Sequence, residues 1–272
     1  MKKRMEAIKM NVYVMVDIEG ISGIYNRDQV CEEHWQVSEG RRHLMGDINA
    51  CVKGLKDAGV DKVYVHDCHG GGWMFDWEMA SDLADGYVCG YVGDRRYANL
   101  EEFDAVILLG YHAMAGTQEA ILEHTYSSKD VQNMYINGVK VGETAVDAAI
   151  AGEQGVPVIM VSGDDKVCAE AKAIMPDVVT AEVKKGLSRL GGTLLPPEKA
   201  HQLIYEKTIE AVKKADSIKP YVIPGPITCK MEMTEATRLF RPSVKPYMEI
   251  LDGRTYTVTG DTVEQALWRA FW

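Results

Sequence analysis

The sequence predicts an α/β protein with a mostly parallel sheet, helices on both faces, and a smaller C-terminal α+β unit. Three observations predict it. Apolar runs of strand length alternate with helix-like stretches from residue 11 to residue 183, and that order implies parallel strands joined by crossover helices. The 272 residues are 46% hydrophobic and 26% charged, ordinary values for a chain with a substantial core. Around Gly191-Gly192 and Pro196-Pro197 the texture changes to a helix, a Pro-containing bridge and hairpin-like segments.

The elements follow in order. Residues 1–9 read as a loose extension, and residues 11–17 as a buried strand. Residues 18–37 are mixed and read as a loop. Residues 38–58 read as a helix, with Ser38 as N-cap and Gly59 as C-cap. Short strands are expected over 62–67, 87–92 and 103–109. The Asn137-Gly138 pair between β-type residues predicts a hairpin of 134–137 with 139–141. An Ala-rich helix over 144–151, a strand over 156–161, a helix over 166–175 and a strand over 178–183 complete the alternation. Beyond it, a helix is expected over 198–215, a strand over 228–233 and a short helix over 235–240. A hairpin across Asp252-Gly253 and a helix over 262–271 follow. This divides the chain into an extension (1–9), a catalytic α/β domain (10–195) and a smaller α+β domain (196–272).

Charge and cysteine usage exclude several classes. A formal net charge of -10 argues against nucleic acid as a partner, because phosphate binding wants a basic face. The six cysteines are scattered without a CxxC pair, so neither a zinc knuckle nor a disulfide framework is expected. No apolar stretch reaches membrane-spanning length. The first nine residues carry charges but no apolar signal core. The expected setting is the cytoplasm, with no membrane partner.

The chemistry concentrates at strand ends. Asp17 and Glu19 are two residues apart at the end of Val12-Tyr13-Val14-Met15-Val16, so on an extended backbone they face the same way. Two buried carboxylates side by side repel, and a divalent cation removes that conflict. His69 follows the strand ending at Asp67 and precedes Gly70-Gly71-Gly72. His112 follows the strand ending at Leu109, and Glu143 opens a helix after the hairpin. In a parallel sheet, sites form beyond the carboxyl ends of the strands, so Asp17, His69 and His112 are expected to cluster. Two imidazoles and three carboxylates suit zinc, with manganese or cobalt as alternatives. If Asp17 bridges, two metals are the simpler count.

Each residue also has a plainer reading. Asp17 and Glu19 as solvated strand-end acids, His112 as a satisfied core histidine and Glu143 as a helix-dipole partner all stay open. His66 and Asp67 compete with His69. His124 reads as a metal ligand or a general acid/base. Cys68 reads as a packed strand residue rather than a nucleophile. Asp164 and Asp165 read as helix caps or as the site's edge.

The segments Val16-Asp17-Ile18-Glu19-Gly20-Ile21-Ser22-Gly23, Asp67-Cys68-His69, Leu109-Gly110-Tyr111-His112-Ala113, His124-Thr125-Tyr126-Ser127, Tyr135-Ile136-Asn137-Gly138, Val141-Gly142-Glu143 and Val158-Ile159-Met160-Val161-Ser162-Gly163-Asp164-Asp165 resemble the DppA-like D-aminopeptidases in order and spacing. The resemblance runs from about Asn11 into the C-terminal unit. It implies a zinc-dependent peptidase acting on short peptides with an N-terminal D-residue. It implies two zinc ions per subunit, bridged by Asp17, with Glu19 and His69 on one ion and His112 and Glu143 on the other. His124 would be the catalytic histidine, and the subunits would form a ring-like homo-oligomer, a decamer in the family. Cys68 departs from the serine usual before the ligand histidine. The loops over 70–74 and 24–37 look individual, which leaves substrate specificity the least transferable property. Two rivals remain: a two-metal phosphoesterase, and a non-catalytic protein whose metals staple its loops.

Overall fold

The computed structural model describes residues 10–236 and 245–271. The N-terminal extension and most of the helix expected over 235–240 lie outside the described residues.

Strand β1 (Asn11–Val16) lies inside a seven-stranded sheet, third from one edge. Its neighbours are β2 (Lys62–Asp67) and β4 (Ala105–Tyr111), both parallel to it. Outward from β2 comes β3 (Gly86–Val88). Outward from β4 come β7 (Val158–Asp164), β8 (Val179–Ser188) and β9 (Gly191–Leu194). All pairings are parallel except β8–β9.

The alternating side chains of β1 explain why it is buried throughout. Val12, Val14 and Val16 enter one core with Leu44, Ile48 and Leu55 of helix α1 (Val37–Asp57) and Ile204 and Ala211 of helix α4 (Pro197–Lys214). Tyr13 and Met15 enter the other core, with Val146 and Ile150 of α2 (Glu143–Glu153) and Val167 of α3 (Asp165–Ile174). A strand covered on both faces has no polar side to alternate with, so its sequence runs apolar without a break.

A second, antiparallel sheet closes that other core. It contains β5 (Val131–Ile136), β6 (Val139–Val141), β10 (Ile227–Met233), β11 (Met248–Ile250) and β12 (Thr255–Gly260). Asn137 and Gly138 join β5 to β6 with φ of 49° and 82°, the left-handed pair that a two-residue hairpin needs. Helix α5 (Val263–Phe271) packs on this sheet.

Three expectations change. Helix α1 starts at Val37 with Gln36 as its cap, and Gln36 offers no side-chain bond. The Ser38 hydroxyl instead donates to Trp35 O, so it turns back on the preceding loop. Gly59, at φ 91°, does close the helix. Strand β3 is shorter than 87–92. Strand β8 runs on to Ser188 and folds back as β9. Helix α4 lies on α1 and β8 of the large sheet, while β5 and β6 pair into the sheet built from β10 to β12. The α4 apolar stripe needs a partner, and α1 presents the facing one.

Candidate active site

The site forms where β1, β2 and β4 end side by side. Asp17 and Glu19 leave β1, His69 leaves β2 and His112 leaves β4. The chain turns sharply here. The Gly20 amide donates to Gly110 O at 2.7 Å, and a Cβ at Gly20 would lie 1.8 Å from Tyr111 O, so only glycine fits. Glu143 arrives from the other side, at the first turn of α2, and His124 comes from the loop before β5.

The six side chains predicted from the sequence converge. Asp17 faces both ligand-type imidazoles: its Oδ1 is 3.1 Å from His69 Nδ1 and its Oδ2 is 3.3 Å from His112 Nε2. Glu19 Oε2 is 3.1 Å from His69 Nδ1, and Glu143 Oε1 is 3.2 Å from His112 Nε2. His124 Nε2 is 3.8 Å from both Glu19 Oε1 and Glu143 Oε1. Its ring stacks on His112, with centroids 3.9 Å apart and planes 9° from parallel.

Backbone carbonyls fix which ring nitrogen faces the centre. A carbonyl can only accept, so the imidazole nitrogen against it carries the hydrogen. His112 Nδ1 donates to Ala113 O, His69 Nε2 to Val30 O and His124 Nδ1 to Leu122 O. The opposite nitrogens therefore present lone pairs to a cluster of carboxylate oxygens, an arrangement that a cation resolves. His112 Nε2 is buried and has no hydrogen-bond partner. Donor atoms of Asp17, Glu19 and His112, and of His112, His124 and Glu143, form two groups whose members lie within 4.8 Å of one another. This oxygen-and-nitrogen donor set fits zinc.

The electrostatics agree. Burial opposes ionisation of Asp17, yet the His112 and His69 imidazoles hold its carboxyl well below the usual range. Burial also opposes protonation of His69 and His112, but Glu19, Glu143 and Asp17 drive both well upward. In the metal-free chain, protons take the place of cations between the same groups.

The plainer readings of the neighbours hold. His66 Nδ1 pairs with the Tyr13 hydroxyl at 2.8 Å. Asp67 accepts from the amides of His69 and Met74, which shapes the turn that carries His69. Burial pushes the Cys68 thiol well up, which leaves it protonated and unsuited to attack. Asp164 caps α3 through the amides of Lys166 and Val167.

Three supporting features escape the sequence reading. Lys184 on β8, only 3% exposed, donates its Nζ to the carbonyls of Glu19, Ile21 and Ile24 at 2.5, 2.9 and 2.7 Å. From the other side, Asp47 of α1 accepts the Ser22 amide and hydroxyl. Together they pin the loop that carries Glu19. Arg96 binds Asp147 through Nε and Nη2, at 2.7 and 2.9 Å, and the Tyr111 hydroxyl donates to the same carboxylate at 2.5 Å. Asp147 did leave a signal, as an acid one helical turn after Glu143 on an otherwise apolar helix. Lys184 left none, because nothing local marks a buried lysine. Two cavities of about 240 and 340 Å³ flank the cluster and share His69, His124, Tyr126 and Ser127.

Comparison with known proteins follows the same lines. A family model described as peptidase M55, D-aminopeptidase, matches residues 10–271. A D-aminopeptidase of Bacillus subtilis (strain 168) is 32% identical over 250 residues, covering 90% of this chain and 89% of the relative. The solved structure of the Zn-dependent D-aminopeptidase DppA from Bacillus subtilis, described as a self-compartmentalizing protease, is 30% identical. It superposes with a TM-score of 0.89 over 96% of this chain and 95% of that one. The large parallel sheet, the second antiparallel sheet and the match along nearly the whole length lead to one assignment: the chain belongs to the peptidase M55 family of D-aminopeptidases.

Proposed function

We propose that this chain is a zinc-dependent aminopeptidase that removes an N-terminal D-residue from short peptides. The family assignment supports this, as do the names of the D-aminopeptidase relative and of the Zn-dependent structural neighbour. The observation that carries it is Asp17, whose two oxygens face His69 on one side and His112 on the other. In this reading Asp17, Glu19 and His69 would hold one zinc ion, and Asp17, His112 and Glu143 would hold the other.

Bound zinc would supply a Lewis acid for the scissile carbonyl and lower the pKa of a water so that it attacks as hydroxide. The chain's own residues do the rest. The carbonyls of Ala113 and Val30 keep the lone-pair nitrogens of His112 and His69 turned inward. Leu122 O anchors the far side of His124, so the lone pair on its Nε2 faces the centre, where it takes the proton released by the attacking water and passes it to the departing amine. Stacking on His112 restricts the ring to that orientation. The comparisons do not favour the phosphoesterase or non-catalytic readings.

By analogy with the self-compartmentalizing DppA, we extend the reading to a closed ring of identical subunits, a decamer by family resemblance. Light scattering on the full chain measures that number. No helix among the described residues is long and apolar enough to cross a membrane, and the scattered cysteines favour a reducing, cytoplasmic setting.

The test is metal analysis combined with hydrolysis of D-alanyl and L-alanyl p-nitroanilides before and after chelation. Two zinc ions per subunit are expected, with D-specific hydrolysis lost on chelation and restored by zinc. Undiminished hydrolysis by metal-free protein overturns the metal role. Equal cleavage of the L-substrate overturns the stereochemical part.

A further inference from the structure

We propose that the cleft reads both ends of its substrate, and that Arg27 and Lys129 form a subsite for the free C-terminal carboxylate of a di- or tripeptide. This rests on the aminopeptidase reading above. The two cavities meet at His69, His124, Tyr126 and Ser127, so a bound peptide extends into both from the scissile bond.

Their walls differ in chemistry. The larger cavity ends on Leu267, Trp268 and Phe271 of α5 and on Arg96. The Arg96 charge is already met by the two hydrogen bonds from Asp147, so this wall offers an apolar surface and little net attraction for an anion. Apart from Asp17 and Glu143, which the metal reading assigns to zinc, this cavity is lined by no acid, and its apolar wall suits the first side chain of the peptide. The smaller cavity is lined by Arg27, Lys129 and Arg189, with Glu19 as its one carboxylate. Arg189 is held by Glu123 at 3.2 Å. Among the described residues, neither Arg27 nor Lys129 has a carboxylate at ion-pair distance. Both side chains are exposed, and two unpaired cations on the wall of a cavity opening from the proposed metal cluster can meet an anion on the substrate. In a short peptide cut after its first residue, the anion on the departing side is the terminal carboxylate.

This reading makes length and a free carboxyl end part of specificity. A long peptide would place a neutral amide where the two cations sit. Each exposed charge contact is modest, and losing both should read as roughly tenfold in kcat/KM.

The experiment compares D-alanyl-D-alanine with its C-terminal amide, using wild type and the Arg27→Gln/Lys129→Gln double variant as zinc-loaded full chains. Wild type is expected to prefer the free acid. The double variant should lose roughly tenfold in kcat/KM for the acid, mainly through KM, and stay within about twofold on the amide. Added salt should raise KM for the acid alone. Equal use of acid and amide by wild type overturns the subsite while leaving the peptidase reading intact. So does a parallel loss on both substrates in the double variant. Hydrolysis of neither substrate by zinc-loaded wild type overturns the peptidase reading, and the subsite with it.

Discussion

Replacing Lys184 by methionine tests how the Glu19 loop is held. The ammonium reaches three carbonyls of residues 19, 21 and 24 from a strand 160 or more positions away. Methionine fills similar space but donates nothing. Each stranded carbonyl costs about 1–3 kcal/mol if it stays dry. Removing a buried ammonium relieves a desolvation penalty of several kcal/mol, so the net loss is smaller than the sum of the carbonyl costs, about 1–4 kcal/mol. That is a large part of a typical stability of ~5–15 kcal/mol. The loss falls on the loop that carries Glu19, so zinc affinity should drop by roughly 10–100-fold, the usual effect of removing a group that orients a metal ligand. Urea unfolding of metal-free protein measures the first quantity, and competition against a chromophoric chelator measures the second. A Lys184→Met protein with wild-type zinc affinity and an unchanged urea midpoint would refute the clamp.

Other outcomes follow from single contacts. His124→Ala should lower kcat by about 10²–10⁴-fold while keeping its zinc; loss of metal would make His124 a ligand instead. Asp147→Ala strands the Arg96 guanidinium and should cost about 3–5 kcal/mol in thermal or urea unfolding, and a change below about 1 kcal/mol would show that Arg96 finds water or another partner. Burial pushes Glu170 up to about 7, against a lowering hydrogen bond from the Met114 amide. Between its ordinary value of 4.5 and about 7, the folded chain holds a proton that the unfolded chain releases. Stability therefore falls as pH rises through that window, by up to about 3 kcal/mol. Glu170→Gln should make metal-free protein more stable at about pH 8, with the gain vanishing near pH 4.5; a pH-independent offset would contradict this.

Much of the site was legible because strand ends are legible. A strand buried on both faces writes an unbroken apolar run, and the first polar residues after it mark the rim where parallel sheets build sites. Asp17, His69 and His112 could be placed together on that ground alone. The Asn137-Gly138 turn was equally plain, since few dipeptides take two left-handed conformations in succession. The rest depended on contacts distant in sequence. Helix α4 looks the same whether it covers one sheet or the other, and only the exposed stripe on α1 decides. Lys184 is one of two adjacent lysines on a mixed strand, and nothing marks it as the buried one until its three acceptors come into place. The cap at Ser38 failed because one hydroxyl has two backbone neighbours to choose from, and the loop before it won.

The two sheets give the enzyme separate handles on reactivity and on choice of substrate. Four of the five proposed ligands sit on loops of the parallel sheet, locked by glycine contacts and a buried ammonium. The apolar wall belongs to α5, which rests on the antiparallel sheet. The fifth, Glu143, opens the helix that follows β6. Residues such as Leu267 and Phe271 can thus drift toward new side-chain preferences without disturbing the coordination chemistry, which gives relatives of this fold a route to diversify their diets while the metal-binding core stays still.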